Sequence, residues 1–129
     1  MALPPPSFAE VPLKTILIVE DIELNIDLLT QILEDDYRLI VARDGAQGVT
    51  LAEQDLPDLV LMDISLPLMD GYEATRRLRE KFPSLPIIGL SAHAMSGDPE
   101  KAQAAGCSDY LTKPVDEILL LKKVADFLR

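Results

Sequence analysis

The side chains best suited to chemistry stand where short apolar runs of the sequence end. Three carboxylates, a hydroxyl and an amine occupy such positions: Glu20, Asp21, Asp63, Ser91 and Lys113. Carboxylates that share one site repel each other at neutral pH unless a proton or a hard divalent cation offsets their charge. An aspartate can attack phosphorus, and an ammonium group and a hydroxyl can then bind the phosphoryl oxygens. These residue types therefore favour metal-assisted phosphoryl transfer, provided that the fold brings them together.

The apolar runs predict how these residues meet. Four short and largely apolar runs are separated by longer stretches of helical periodicity: residues 16–19, 59–62, 87–90 and 110–112. Such an alternation is typical of buried strands in a parallel sheet. In an open α/β sheet, the carboxyl ends of the strands line one ligand crevice. Positions spread over more than ninety residues of sequence are thus expected to converge on one rim.

Composition and charge bound the class of protein. The chain has 129 residues, of which 48% are hydrophobic, so one domain with a real core is expected. Its formal net charge of −10 disfavours direct binding to nucleic acid or to an anionic membrane. The single cysteine, Cys107, allows neither an internal disulfide nor a zinc site. The sequence has no membrane-spanning stretch and no signal pattern, so we expect a cytoplasmic protein.

The order of the elements predicts an α/β fold. Residues 1–13 are rich in proline and are interpreted as a flexible lead-in, followed by one domain over residues 14–129. Strand and helix patterns then alternate five times, which predicts a doubly wound three-layer sandwich around a five-stranded parallel sheet. The second strand is expected at residues 38–42. The helices are expected near residues 22–34, 44–54, 71 onward, 99–105 and 115–128.

Helical periodicity also predicts which side chains are buried. The first helix is expected to bury Ile22, Ile26, Leu29 and Leu33. The last helix is expected to bury Ile118, Leu121, Val124 and Leu128. Leu119 and Leu120 widen that stripe, so the last helix either packs deeply or presents one edge to a partner. A solvated face, rather than a phosphate-binding patch, is expected for Arg76, Arg77 and Arg79.

Asp63 follows the central predicted strand and is the natural nucleophile of the set. Mg²⁺ on Asp21 and Asp63 would neutralise the transferred group together with the Lys113 ammonium, and the Ser91 hydroxyl would donate to it. Each residue alone has a plainer explanation, because an acid can cap a helix, a serine can occupy a turn and a lysine can face solvent. Their joint placement after four separate strands favours a site.

Four motifs carry these residues. They are Ile-Leu-Ile-Val-Glu-Asp at 16–21, Asp-Ile-Ser-Leu-Pro-Leu-Met-Asp-Gly at 63–71, Leu-Ser-Ala at 90–92 and Tyr-Leu-Thr-Lys-Pro at 110–114. In this order and at this spacing, the chain resembles the receiver domain of the two-component response-regulator family, the CheY-like fold, over residues 14–129. The resemblance implies the strand order 2-1-3-4-5. Two details depart from the family's commoner pattern, a Glu-Asp acidic pair and a serine where threonine is frequent.

The resemblance implies a phosphorelay function. Asp63 would accept a phosphoryl group from the phosphohistidine of a sensor histidine kinase or a histidine phosphotransfer protein. Mg²⁺, with Mn²⁺ as an alternative, would be held by Asp21, Asp63 and the backbone carbonyl of Ser65, while Glu20 would act through water. The protein would then be no enzyme on other substrates, but a phosphoacceptor that promotes only its own phosphorylation and dephosphorylation.

A conformational switch is implied as well. Ser91 and Lys113 would bind the phosphoryl oxygens, and Tyr110 would turn inward when Ser91 is drawn to the phosphoryl group. The surface of the fourth helix, fifth strand and fifth helix would change in response and bind a downstream protein target. The family keeps a cis peptide at the position before Pro114. Asp70 is interpreted as a structural turn residue.

Alternative functions make different demands on the sequence. A flavodoxin-like nucleotide binder needs a phosphate loop where this chain has two acids, and a phosphatase with an aspartate nucleophile usually has a second aspartate where this chain has Ser65. A pseudo-receiver that only binds partners would lack a site residue, and none is lost. The starting methionine and the length favour a single-domain response regulator, whereas the proline-rich lead-in favours a receiver cut from a hybrid histidine kinase. His93 is interpreted as an exposed loop residue, with control of water access to the site as the alternative.

Overall fold

Strands and helices alternate along the whole of the domain. The structure, a computed structural model, describes residues 12–66, 69–92 and 98–129. Within these ranges the elements are β1 (Thr15–Val19), α1 (Glu23–Leu33), β2 (Arg38–Ala42), α2 (Gly45–Asp55), β3 (Leu59–Asp63), α3 (Gly71–Lys81), β4 (Ile87–Ser91), α4 (Asp98–Ala105), β5 (Asp109–Thr112) and α5 (Glu117–Phe127). Most of the predicted lead-in and His93 lie outside the described residues.

The five strands form one parallel sheet in the order β2-β1-β3-β4-β5, which confirms the predicted α/β fold and strand order. In the register, Val19 lies beside Met62, and Asp63 lies beside Leu90. Ser91 in turn lies beside Thr112. The carboxyl ends of β1, β3, β4 and β5 therefore meet at one edge of the sheet, as the sequence predicted.

The sheet is buried on both faces, which explains why its strands are continuous apolar runs. Successive side chains point to opposite faces, so β1 sends Ile16 and Ile18 to one side and Leu17 and Val19 to the other. On the first side they pack with buried residues of α1 and α5: Leu29, Leu33, Leu120 and Val124. On the second side they pack with buried residues of α2 and α3: Ala52, Ala74 and Leu78. This three-layer packing fixes the sheet edge on which the site is built.

Two predictions about helix faces are wrong. Ile22 is 50% exposed because it precedes α1 as the N-cap residue, with extended backbone, and does not share the buried helical face. Ile118 is 80% exposed, whereas Leu120 and Val124 are fully buried. Helix α5 begins at Glu117, and the sheet covers the stripe of residues 120 and 124, four positions apart, which turns position 118 outward. The last helix is thus both packed and exposed along one edge.

The prediction for the arginines of α3 is confirmed at two positions and wrong at the third. Arg76 and Arg77 are exposed and pair with Glu73 on the same helix. The guanidinium of Arg79 instead donates to backbone carbonyls beyond the end of α3, those of Phe82, Pro83, Leu85 and Gly106. Arg79 therefore joins α3 to the loops before β4 and β5. Among the described residues, no helix has the length and apolar character that crossing a membrane requires.

Candidate functional site

Three carboxylates meet at the carboxyl edge of the sheet, as the sequence predicted. Asp63 is the last residue of β3 and is 2% exposed, and Glu20, which follows β1, is fully buried. Asp21 is exposed beside them. Oxygen atoms of the three carboxylates lie within 4.8 Å of one another. The carboxylates of Glu20 and Asp63 are thus both held away from bulk water. Negative charges repel each other more strongly in a buried environment than in water.

Lys113 reaches the acids from the end of β5. Its Nζ lies 3.0 Å from Glu20 Oε2 and 3.3 Å from Asp63 Oδ1. The backbone N–H of Lys113 donates to the carbonyl of Ser91 at 2.7 Å, and the peptide bond between Lys113 and Pro114 is cis. The ammonium group is therefore shared between two carboxylates that come from different strands.

The segment between β3 and α3 holds Asp63 in place. The backbone N–H of Ser65 donates to Asp63 Oδ1 at 3.0 Å, and the N–H of Gly71 donates to the carbonyl of Ile64 at 3.0 Å. A Cβ atom at Gly71 would stand 2.2 Å from the carbonyl oxygen of Asp63, so only glycine permits α3 to begin so close to the end of β3. Asp70 caps α3 by accepting from the N–H of Glu73, in line with its predicted structural role.

The environment of Asp63 disfavours its charged form. The pKa of the Asp63 carboxyl is raised from 3.8 to about 6, and burial is the largest cause. The N–H of Ser65 lowers this pKa, the neighbouring Glu20 raises it, and the Lys113 ammonium lowers it. Burial and the second acid outweigh the two stabilising contacts, so the site lacks positive charge when Asp63 is ionised.

This donor set fits a hard divalent cation. Carboxylate oxygens from Glu20, Asp21 and Asp63 converge within the reach of one ion, and oxygen donors are those that Mg²⁺ prefers. The exposed side chain of Asp21 lies at the solvent side of the cluster, where an ion that keeps its water ligands can enter. A bound cation would favour the ionised form of Asp63, which burial and the neighbouring Glu20 disfavour. The carbonyl of Ser65, on the exposed turn after β3, is the backbone donor that the resemblance implies.

Ser91 and Tyr110 occupy the neighbouring strands. Ser91 is the last residue of β4 and is 1% exposed, one register position beyond the pair formed by Leu90 and Asp63. Tyr110 lies beside Gly89 in the register of β4 and β5 and is partly buried. Its hydroxyl oxygen is buried and has no hydrogen-bond partner among the described residues. The predicted switch residues therefore lie on the same side of β3: Ser91 is on β4, the strand beside it, and Tyr110 is on β5, the strand beyond β4.

One residue of the site was missed in the sequence. The side-chain amide of Asn25, in the first turn of α1, donates to Glu20 Oε1 at 2.9 Å. Its position, five residues after Glu20 and just inside the helix, was the available signal. That signal is weak, because an asparagine near a helix start is normally interpreted as a cap.

Comparisons with known proteins agree with this geometry. Residues 16–125 match the sequence profile of the response regulator receiver domain. The polar-differentiation response regulator DivK of Brucella ovis is 37% identical over 118 residues, which cover 89% of this chain and 96% of that protein.

Two solved structures are similar in fold and sequence. The receiver domain of the sensor histidine kinase PA1611 from Pseudomonas aeruginosa, solved with a magnesium ion coordinated in the active site cleft, has a TM-score of 0.84 and 38% identity, covering 89% of this chain and 97% of that one. The Saccharomyces cerevisiae receiver domain of Ssk1 was solved in complex with the histidine phosphotransfer protein Ypd1. It has a TM-score of 0.83 and 30% identity, and the match covers 90% of this chain and 89% of that one.

Proposed function

We propose that this chain, which belongs to the response regulator receiver domain family, accepts a phosphoryl group on Asp63. The observation that carries this proposal is the setting of Asp63. It is a buried carboxylate at a strand end, with an ammonium group at 3.3 Å and two further acids that fit a cation. Charge neutralisation and alignment are what phosphoryl transfer requires of a protein, and this rim is built to supply both.

The transfer is a displacement at phosphorus. A carboxylate oxygen of Asp63 attacks the phosphorus of a phosphohistidine, the P–O bond forms as the P–N bond breaks, and the imidazole nitrogen keeps the electron pair and takes up a proton. The contacts from Ser65 and Lys113 both fall on Oδ1, so Oδ2 is the attacking oxygen in this proposal. The donor is a sensor histidine kinase or a histidine phosphotransfer protein, and the partnership of the related Ssk1 receiver with Ypd1 supports this choice.

Three side chains stabilise the transferred group. The Lys113 ammonium offsets the charge on its oxygens, and the Ser91 hydroxyl donates to one of them. The ligands for Mg²⁺, or for Mn²⁺ in its place, are Asp21, Asp63 and the carbonyl of Ser65, with Glu20 acting through water. When bound, the ion supplies the positive charge that the site lacks when Asp63 is ionised.

Phosphorylation is then converted into a change of surface. Ser91 is drawn toward the phosphoryl group, Tyr110 is held inward, and the surface formed by α4, β5 and α5 favours a second state that binds a downstream protein. Helix α5 exposes apolar side chains on that surface: Leu119 is 42% and Phe127 is 37% exposed. The protein promotes only its own phosphorylation and dephosphorylation, and it acts as a signalling element rather than as an enzyme with an external substrate.

The similarity to DivK favours a single-domain response regulator. The similarity to the PA1611 receiver favours the second candidate, a receiver domain of a hybrid histidine kinase. Both candidates use the same chemistry at Asp63. A pseudo-receiver that binds partners without phosphorylation is the alternative from another class, and it predicts no covalent adduct.

Intact-mass spectrometry after incubation with acetyl phosphate and Mg²⁺ tests the proposal. We expect one phosphoryl adduct, dependent on Mg²⁺ and absent from Asp63→Asn. Asp58→Asn is the matched control, because Asp58 lies just before the other end of β3 and should leave the adduct unchanged. An adduct that survives in Asp63→Asn at the wild-type rate contradicts the proposal. Failure with both acetyl phosphate and a phosphorylated histidine phosphotransfer protein favours the pseudo-receiver.

A further inference from the structure

We propose that Asn25 is a positioning residue, which orients Glu20 and thereby keeps the Lys113 ammonium available to Asp63. This inference rests on the proposed phosphoacceptor role of Asp63. Asn25 lies in the first turn of α1 and is half-buried, and its Nδ2 donates to Glu20 Oε1 at 2.9 Å. Its hydrogen bond is to Glu20 and not to the reacting carboxylate, so we expect its effect on phosphorylation to pass through Glu20.

Glu20 depends on its donors because it is fully buried. A buried carboxylate without hydrogen bonds is costly, so each oxygen needs a partner. Oε1 accepts from Asn25 and makes only a long 3.4 Å contact with the N–H of Ile22. Oε2 accepts from Lys113 Nζ at 3.0 Å. The carboxylate is therefore held between α1 on one side and the end of β5 on the other.

Lys113 is shared, and the sharing is sensitive to how Glu20 is oriented. Its Nζ is 3.0 Å from Glu20 but 3.3 Å from Asp63, so the two acids compete for one ammonium group. Without Asn25, Glu20 Oε1 loses its good donor, and the Lys113 ammonium, which already donates to Oε2, is the charged donor next to it. A carboxylate turned fully toward Lys113 would draw the ammonium away from Asp63. The contact from Asn25 opposes that rotation.

A helix-capping role does not explain Asn25. The N-cap residue of α1 is Ile22, which makes no side-chain cap hydrogen bond. Capping asparagines accept a hydrogen bond from a backbone N–H, whereas Asn25 donates its amide to a carboxylate. The side chain therefore serves the acidic cluster and not the end of the helix.

A double-mutant cycle tests the inference. Acetyl phosphate and Mg²⁺ are the probe, and the measured quantity is the phosphorylation rate of Asn25→Leu, Glu20→Gln and the double variant. Asn25→Leu should slow phosphorylation by about 5–10-fold, less than the full loss of a charge-assisted hydrogen bond, because this contact acts on Asp63 only through Glu20. The double variant should be no slower than Glu20→Gln alone, because a neutral residue 20 no longer competes for Lys113. Leu28→Ala alters the cleft that Asn25 lines together with Lys113 but removes no hydrogen bond to Glu20, and its rate should stay within about twofold of wild type.

A second measurement separates positioning from folding. Melting temperatures in metal-free buffer report any loss of stability in Asn25→Leu, and a purely structural role would lower the melting temperature without slowing the folded protein. A rate for Asn25→Leu within twofold of wild type, or losses that multiply in the double variant, overturns the inference. If wild type forms no adduct with acetyl phosphate or with a phosphorylated histidine phosphotransfer protein, the proposed function fails and the positioning role fails with it. If wild type is phosphorylated normally and Asn25→Leu is unaffected, only the role of Asn25 fails.

Discussion

The two ends of the sheet use similar polar side chains for different purposes. At the amino end, Asp58 accepts from the N–H of Thr15, while the N–H of Asp58 donates to the carbonyl of Thr15. Ser108 and Ile87 make the same reciprocal pair between β5 and β4. These side chains extend the hydrogen bonding of the sheet, and the donor and acceptor of each pair are satisfied. A polar residue in such a place is structural.

At the carboxyl end, the backbone extends the hydrogen bonding by itself. The N–H of Glu20 donates to the carbonyl of Ala42, and the N–H of Lys113 donates to the carbonyl of Ser91. The side chains of Glu20 and Lys113 are not needed for the sheet and are left to act on Asp63. Asp58 and Asp63 are only five residues apart, yet their side chains have different partners: a backbone N–H for Asp58 and the charged cluster for Asp63. Asp58, whose hydrogen bond is satisfied, supports the fold, whereas Asp63, held among other acids, is the proposed site of chemistry.

Of the substitutions that keep Asp63, Lys113→Met should have the largest effect on the phosphorylation rate, and the same change at Lys123 should have little. Removal of the ammonium group takes away charge that stabilises the transferred phosphoryl group, so phosphorylation by acetyl phosphate should slow by about 100-fold. Lys123→Met is the matched control, because Lys123 pairs with Asp109 at 2.7 Å, away from the acidic cluster. Stopped-flow or quench measurements with mass detection give both rates. Equal rates for the two variants would remove Lys113 from the transfer step.

Arg79→Met should mainly damage the fold. The lost guanidinium takes a donor away from the carbonyls of Phe82, Leu85 and Gly106, and we expect a decrease of about 2–4 kcal/mol in the free energy of unfolding. Arg76→Met, on the exposed face of the same helix, should change it by less than about 0.5 kcal/mol. Urea denaturation measures both values. A small effect at Arg79 would mean that water replaces the arginine at those carbonyls.

Asp63→Asn should stabilise the metal-free protein, in contrast to Asp58→Asn. The pKa of the Asp63 carboxyl is raised to about 6, so the folded protein prefers the protonated form. The contribution of the protonated Asp63 carboxyl to the free energy of unfolding is fully present below about pH 4. It is lost as the pH rises through about 6. Above pH 7 the neutral amide should therefore gain on the order of 1–3 kcal/mol in the free energy of unfolding, and the gain should vanish near pH 4.

Urea denaturation of both proteins from pH 4 to pH 8 measures this gap. A gap that widens as the pH falls would contradict the assigned environment of Asp63, because the sign of its pKa shift would then be reversed. Asp58→Asn should show no such gain at any pH in this range, since Asp58 already accepts a good hydrogen bond from Thr15.

Mg²⁺ should raise the melting temperature of wild type by a few degrees, through binding to the folded state alone. The rise should be smaller in Asp63→Asn, which lacks one carboxylate of the cluster, and in Asp58→Asn it should equal that of wild type. Differential scanning calorimetry with millimolar-order Mg²⁺ measures the shifts. Equal shifts in all three proteins would place the ion away from the acidic cluster.

The sequence predicted the strands and the meeting of their ends better than it predicted side-chain partners. Apolar runs define strand positions locally, and the observed β2 (Arg38–Ala42) coincides with the predicted range. The strand order came from the family resemblance, which the comparisons confirm. The rotation of α5 was not predictable in the same way, because Ile118 and Leu120 are equally apolar and only the position of the sheet decides between them.

Contacts between distant segments were the hardest to foresee. Arg79 reaches the carbonyl of Gly106, 27 positions away, through a loop conformation that no local pattern encodes. Asn25 was missed because its partner Glu20 lies before the helix. Glu20 could itself be interpreted as a helix cap, which gave no reason to look for a side-chain donor to it. Gly71 was recognised as part of a motif, but its closeness to the end of β3 appears only when the two elements are packed.

Localisation of the phosphoryl group is the sharpest test of the proposed phosphoacceptor role of Asp63. Borohydride reduces an aspartyl phosphate to homoserine, so peptide mapping by tandem mass spectrometry after phosphorylation and reduction identifies the acceptor. We predict homoserine at position 63 alone, formed only when Mg²⁺ is present during phosphorylation. Homoserine at position 21 or 58, or a phosphoryl group that stays on His93 and resists reduction, would contradict a phosphoacceptor role for Asp63.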